Sequence, residues 1–415
     1  MNRIRMWCII AMSVCILSAR ALSLDEARQM AHDNYPAIQQ YQLIEQTRRY
    51  TIDNVAKGWL PSVSVSTGLY GFTDIVKSNT MTQQMGIDMK NIMINGSVTV
   101  SQKLYDGGKM AMQKQVIAAQ SDVQARELDV SMYAIYERID QLFFGILLLD
   151  EQLRLNDLYL TDLKTSEQTI KSMMKSGVAN QSDLETILVE ELKASQQGEA
   201  LHTSRLSYLR ILSVFIGKEL SENETLEKPE GTLSMGHEAV NRPELSFYAS
   251  KALLLDAQHK QLDSNLHPTV SAFGMGMIHS KVSDFLNESM FMVGVPLSWN
   301  IGALYTRKND LQKLETQRAI NNSQRETFLF QNRLENEEAN GAIASLRKQI
   351  TKDDEIVSLR ASIRSKGEKK VKLGTESVNE LVRLINAVNL AKQQKAIHEI
   401  ELLNEMYKQR NLNNN

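Results

Sequence analysis

From Lys109 to Ser176 the chain runs 68 residues without a proline, and from Ala303 to Leu373 it runs 71. Polar and apolar residues are mixed throughout both stretches, as in surface helices rather than strands or membrane spans. At ~1.5 Å per residue, each would form a helix of about 100 Å. A globular helix averages ~11–12 residues. Helices this long must therefore pack along one another as a coiled coil. A shorter stretch without proline follows each, over about 182–216 and 377–411. In the second of these, Val378, Leu381, Ile385 and Val388 step by 3, 4 and 3, which is a coiled-coil seam.

The chain also carries the same unit twice. Asn34-Tyr-Pro36 resembles Asn241-Arg-Pro243, and 25 residues separate Pro36 from Pro61 just as 25 separate Pro243 from Pro268. Val98 to Gly108 matches Met292 to Gly302, and Gly177 to Asp183 matches Gly374 to Glu380. These matches keep one order and nearly one offset, as an internal repeat requires. The expected division is a leader over 1–21, a first repeat over 22–220, a linker over 221–236 and a second repeat over 237–415.

Each repeat holds two short segments of strand period. Val63, Val65, Thr67 and Leu69 alternate with serines. Residues 92–104, 269–278 and 291–298 are the other expected strands. Ser78-Asn79-Thr80 and Gly86 to Asn91 belong to the loop joining the first pair, and the loop near 278–291 is short. Four strands leave two open edges and are too few for a membrane barrel, which needs ~8. If these strands enter a membrane, they must close with strands of other chains. Three chains would supply 12 strands.

The first residues read as an export leader. Arg3 and Arg5 precede a 12-residue stretch, Met6–Leu17, that is apolar but for Ser13, and Ala19-Arg-Ala21 fits a cleavage site. That stretch is too short to span a bilayer, and Val14 before Cys15 argues against a lipid anchor. Both cysteines, Cys8 and Cys15, would leave with the leader, so neither a disulfide nor a thiolate site is expected. The remaining chain has 44 basic and 49 acidic residues. A nucleic-acid binder would be far more basic. The seven histidines have no zincin spacing, and phosphate-loop, nucleophile-elbow and dinucleotide fingerprints are missing. No enzyme, cofactor or metal site is expected.

Several residues stand out at the ends of the elements. Gly107 and Gly108, and Gly302 in the second repeat, fall where strand turns into helix, with Asp106 placed to cap the first long helix. Trp59, Tyr105 and Trp299 flank the strands as an interfacial aromatic belt would. Gly145 and Gly341 occupy equivalent mid-helix positions and are expected to be close-packing or bending points. The turns near Gly177 and Gly374 should be the far ends of the coils.

Leu24-Asp-Glu-Ala-Arg28, Asn34-x-Pro36, Leu60-Pro61, Leu104-Tyr-Asp-Gly-Gly108 and the Gly177/Gly374 pair together resemble the TolC-like outer-membrane factor family. The resemblance implies a mainly α fold with a small β part. Long antiparallel coiled-coil helices would form an α-barrel tunnel, and four strands per chain would contribute to a trimeric 12-stranded membrane β-barrel. It implies an exit duct of a tripartite efflux or type I secretion system, in the outer membrane of a Gram-negative bacterium with a periplasmic extension. The implied partners are two further copies, a periplasmic adaptor (membrane fusion) protein, an inner-membrane transporter of RND, ABC or MFS type, and outer-membrane lipid, with no nucleic acid. At the periplasmic tip, the family's two entrance aspartates fall on Glu380 and Arg383. Asp183 is the repeat equivalent of Glu380, and Glu376 is near. Arg383 would then pair with a carboxylate of a neighbouring helix. The second repeat departs from the pattern, with Asn300-Ile301-Gly302 in place of Asp106-Gly107-Gly108. The rival reading is a periplasmic coiled-coil adaptor or structural protein without a pore.

Overall fold

A computed structural model describes residues 21–71, 92–230, 240–281 and 284–413. The expected leader (but for Ala21), the loop residues Ser78–Thr80 and Gly86–Asn91, and the second part of the expected linker lie outside the described residues.

Helix α1 (Leu24–Asn34) leads through a 3-10 turn (Pro36–Ile38) into α2 (Gln39–Ala56) and a second 3-10 turn (Lys57–Trp59). Strands β1 (Ser62–Gly71) and β2 (Ile92–Tyr105) precede α3 (Lys109–Lys175) and α4 (Gln181–Ile216). The second half repeats this order. It comprises α5 (Pro243–Ser264), β3 (Thr269–Lys281), β4 (Asp284–Gly294), the short β5 (Leu297–Ser298), α6 (Ala303–Lys372) and α7 (Val378–Asn413). The long helices α3 and α6 have 67 and 70 residues, and α4 and α7 have 36 each. Among the described residues, no helix is long and apolar enough to cross a membrane.

The second strand pair differs from the expectation over 269–278 and 291–298. Strand β3 extends to Lys281 and β4 starts at Asp284, so most of the expected loop is strand. The later segment is interrupted after Gly294, because Pro296 has no N–H to give a ladder. Only Leu297–Ser298 pairs again beyond it.

The chain forms two compact units. One contains the residues to Ile38, Asp129–Pro243 and Thr327–Asn415, and the other contains Gln39–Leu128 and Glu244–Glu326.

The first unit is helical. Its core takes Ile139, Leu142, Phe143 and Ile146 from one run of α3, all almost fully buried. A reciprocal cap starts α1: Glu26 N–H donates to Ser23 Oγ at 3.3 Å, and Ser23 N–H donates to Glu26 Oε2 at 3.2 Å. That helix brings Arg28 inward. Its Nε and Nη2 donate to the two Asp140 oxygens at 2.8 and 2.5 Å, and Nη2 also donates to Asn411 Oδ1 at 2.9 Å. Asn411 Nδ2 closes the triangle on Asp140 at 2.5 Å. Burial pushes the Asp140 carboxyl up, and the Arg28 hydrogen bonds pull it down. Elsewhere in this unit a second cluster joins Tyr159, Leu163, Ile170 and Met173 of α3 to Ile187 of α4, Val371 of α6 and Val378, Leu381 and Ile385 of α7. All four seam positions of α7 are buried.

The second unit holds the sheet, which is antiparallel in the order β1-β2-β3-β4, with β5 beside β3. A register shift between Lys103 and Tyr105 marks a bulge at the helix end of β2.

Candidate functional site: a two-faced sheet and two helix tips

Register places Val63 opposite Val100 and Val65 opposite Val98, while Ser62 faces Ser101 and Ser66 faces Ser97. The serine pairs share hydroxyl hydrogen bonds of 2.7 and 2.8 Å. One face of β1 and β2 is thus apolar and the other is lined with hydroxyls, as the alternation demands. The apolar face continues through Gly276 opposite Phe291 and Gly274 opposite Val293. Val65, Phe291 and Val293 are each more than two-thirds exposed. So large an apolar patch is a contact surface for something other than water.

Where the sheet gives way to helix, Asp106 is buried and accepts from Gly108 N–H at 2.9 Å and Met110 N–H at 2.8 Å. Gly107 and Gly108 have φ of +71° and +83°, which only glycine adopts easily. A side chain at Gly107 would also run into His267 Cβ, 2.7 Å from its ideal Cβ. Gly302 differs, since its φ is not positive. With asparagine and isoleucine before it, the second turn takes another path. Trp59, Tyr105 and Trp299 are all exposed here. The Trp59 carbonyl accepts from Gln102, and Trp299 Nε1 donates to the Leu266 carbonyl at 2.9 Å. Tyr305, the most exposed of the large hydrophobics, was not singled out in the sequence. Its place three residues past Gly302 was the available signal.

The two helix tips repeat each other. Gly177 and Gly374 have φ of +74° and +72°. Val178 N–H reaches back to the Met173 carbonyl at 2.9 Å, and Thr375 N–H to that of Lys370 at 3.0 Å. Both turns thereby satisfy the orphan carbonyls of the long helices. The next helix then starts on a cap. Asp183 N–H donates to Asn180 Oδ1 at 3.1 Å, and Asp183 Oδ2 accepts from Asn180 N–H at 2.9 Å. Glu380 N–H donates to Ser377 Oγ at 3.2 Å. The matched carboxylates Asp183 and Glu380 therefore share the third position of a capped helix. The capping signals Asn180-x-x-Asp183 and Ser377-x-x-Glu380 are the sequence mark of this arrangement. Glu380 turns its carboxylate to Arg383, whose Nε donates at 2.7 Å and whose Nη2 completes a bidentate pair. Within this chain Arg383 pairs on its own helix, not with a neighbouring helix as expected. This pairing holds the Glu380 carboxyl below its ordinary value. Glu376 lies 3.8 Å from Lys370.

Behind the tips, polar side chains tie the helices together. Arg364 of α6 reaches Asp162 of α3 at 2.5 Å and Glu368 at 2.7 Å. The Tyr159 hydroxyl donates to Asn386 Oδ1, and Asn386 Nδ2 donates to Glu190 Oε2 at 3.3 Å. Burial and then the Glu190 charge push the Tyr159 phenol up, so it stays a donor. Hydrogen bonds from Lys193 first, then Asn386 and Tyr159, hold Glu190 below the ordinary glutamate value of ~4.3. A carboxyl lowered by folding stabilises the fold above that value and ceases to do so as pH falls through the folded-state value. Hydrogen exchange around 159–190 should therefore accelerate as pH falls below ~4, after correction for intrinsic rates. The acceleration should be smaller in a Glu190→Gln variant. Equal acceleration in both proteins would remove Glu190 from this role.

The two mid-helix glycines part company. An ideal Cβ on Gly145 would lie 2.5 Å from Tyr208 Cε1, so this glycine is a close-packing point between α3 and α4. A Cβ on Gly341 meets nothing within 4 Å, so the packing expected there is absent within the chain. The close approach on α6 occurs instead at Gly367, beneath Leu384.

Residues 27–218 match the model of the outer membrane efflux protein family. The match covers just under half of the chain, all of it before the second strand-bearing half, and over that stretch the sequence is similar to that family. Several solved structures share this fold along almost the whole chain. CusC has a TM-score of 0.70 at 13% identity, over 94% of this chain and 91% of its own. The outer-membrane channel OprN scores 0.68 at 14% identity, over 94% and 89%. VceC of Vibrio cholerae scores 0.67 at 10% identity, over 94% and 96%. No curated protein sequence matches significantly.

Proposed function

We propose that the protein is the passive exit channel of a tripartite efflux or type I secretion system. It would act as a homotrimer with a periplasmic adaptor and an inner-membrane transporter of RND, ABC or MFS type. The observation that carries this reading is the four-strand sheet, with its apolar and hydroxyl faces and β1 and β4 at open edges. An apolar exterior, a wet interior and two free edges are what a third of a closed 12-stranded membrane barrel requires. Trp59, Tyr105 and Trp299 would sit at its interfacial rim. Gly107, Gly108 and Gly302 would be the strand–helix turns, and Asp183, Glu376, Glu380 and Arg383 would belong to the periplasmic entrance. The same unit built twice, over 22–220 and 237–415, supports a ring of six similar segments.

Detergent-extracted protein should run as a trimer and open steps of conductance in planar bilayers. A monodisperse monomer that stays soluble without detergent and leaves bilayers silent would overturn the proposal.

A further inference from the structure

Each of the candidate acids at the tips is engaged within the chain. Asp183 is held in its capping box, Glu380 is bidentate with Arg383, and Glu376 faces Lys370. Glu368 is taken by Arg364, Glu167 by Lys171, and Glu185 accepts from the Gln181 amide.

The cations are distributed differently. Residues 366–383 hold five cationic side chains, Lys366, Lys369, Lys370, Lys372 and Arg383, against three acids. Lys175, Lys366, Lys369 and Lys372 are exposed and make no ion pair among the described residues. A lysine in the last turn of a helix complements its dipole, and that accounts for one or two of them. It does not account for the ion pairing of Glu167, Glu368, Glu376 and Glu380 while these lysines stay open; Asp183 and Glu185 are held by neutral groups and Glu191 Oε1 has no partner, so these three keep their charge. The excess also opposes the chain as a whole, whose formal net charge is −2.

We propose that the helix-tip entrance is anion-preferring, and that the protein exports solutes bearing carboxylate or phosphate groups in preference to cations. This rests on the proposed function, in which these tips form the mouth of the pore. Around a threefold axis, each unpaired lysine would become three, and a narrow opening of one sign focuses the field on entering ions. Arg383 neutralises Glu380, the carboxylate at the matched position of the second tip.

The test is the reversal potential of the full-length trimer in planar bilayers under a potassium chloride gradient. Chloride should permeate better than potassium at ~0.1 M salt and lose much of that advantage near 1 M, as the screening length shrinks from ~10 to ~3 Å. K369Q/K372Q should move the permeability ratio toward potassium, and K369R/K372R should leave it unchanged. Arg383→Gln, which frees Glu380, should shift it the same way by an independent route. A parent channel that prefers potassium would overturn the inference while leaving the channel reading intact. So would K369Q/K372Q and Arg383→Gln variants that both keep the parent's reversal potential, or a K369R/K372R variant that shifts as far as K369Q/K372Q. A parent with no conductance at all would remove the reading beneath it.

Discussion

Asp140→Ala should cost about 3–5 kcal/mol, the usual penalty for leaving a buried charge without its partner. Arg28 comes inward from α1 to meet both Asp140 oxygens, and Asn411 near the end of α7 bonds to both residues. Three distant parts of the sequence therefore meet at one carboxylate. Without it, the guanidinium keeps Asn411 and the faces of Tyr136 and Tyr407, 5.8 and 6.0 Å away, and its one remaining carboxylate among the described residues is the exposed Asp25, 3.9 Å from Nη1. The paired replacement Arg28→Met with Asp140→Leu should recover most of the loss, because two apolar groups leave nothing to solvate. Chemical denaturation in detergent measures both variants. A single variant as stable as the parent, or a double variant no better than the single, would show that this pair is not the tie holding α1 to the bundle.

Gly145→Leu should cost ~3 kcal/mol or more, whereas Gly341→Ala should gain roughly 0.5–1 kcal/mol. The two positions are equivalent in the repeat, so the difference comes from their surroundings alone. At Gly145 even a methyl group would press on the Tyr208 ring, and a leucine would have to push α3 and α4 apart. At Gly341 the space is open within the chain, so alanine merely restricts the unfolded state and favours helix. If another copy of the chain packs against Gly341, the alanine variant will instead lower trimer yield while leaving secondary structure unchanged. Thermal melts with trimer quantification separate these results. A Gly145→Leu protein that melts and assembles like the parent would refute the packing role assigned to that glycine.

Proline spacing and hydrophobic period made the large elements legible. Both long helices, the seam of α7 and the strand near Val63 are properties of local sequence. Where a residue's role depends on what lies across from it, sequence was silent. Gly145 and Gly341 look alike in sequence, and only Tyr208 distinguishes them. Arg28 and Asp140 are 112 positions apart, and no local pattern links them. Strand β4 was cut short because Asn287, Glu288 and Ser289 break its apolar alternation; polar residues at that end of a strand obscure the period. Asp183 and Glu380 were found as a matched pair, but their common cause, the third position of a capped helix, needed the cap residues Asn180 and Ser377 to be read with them.

The open edges at β1 and β4 also make the sheet's stability a matter of mass action. In the proposed trimer, backbone groups along those edges would gain their last hydrogen bonds from another copy, so the melting temperature of the sheet should rise with protein concentration and fall on dilution. The helical unit, whose core closes within one chain, should be far less sensitive. Newly exported chains would then pass through a stage with formed helices and an unfinished sheet, during which scarcity of partners, not weakness of any residue, decides whether the channel is built.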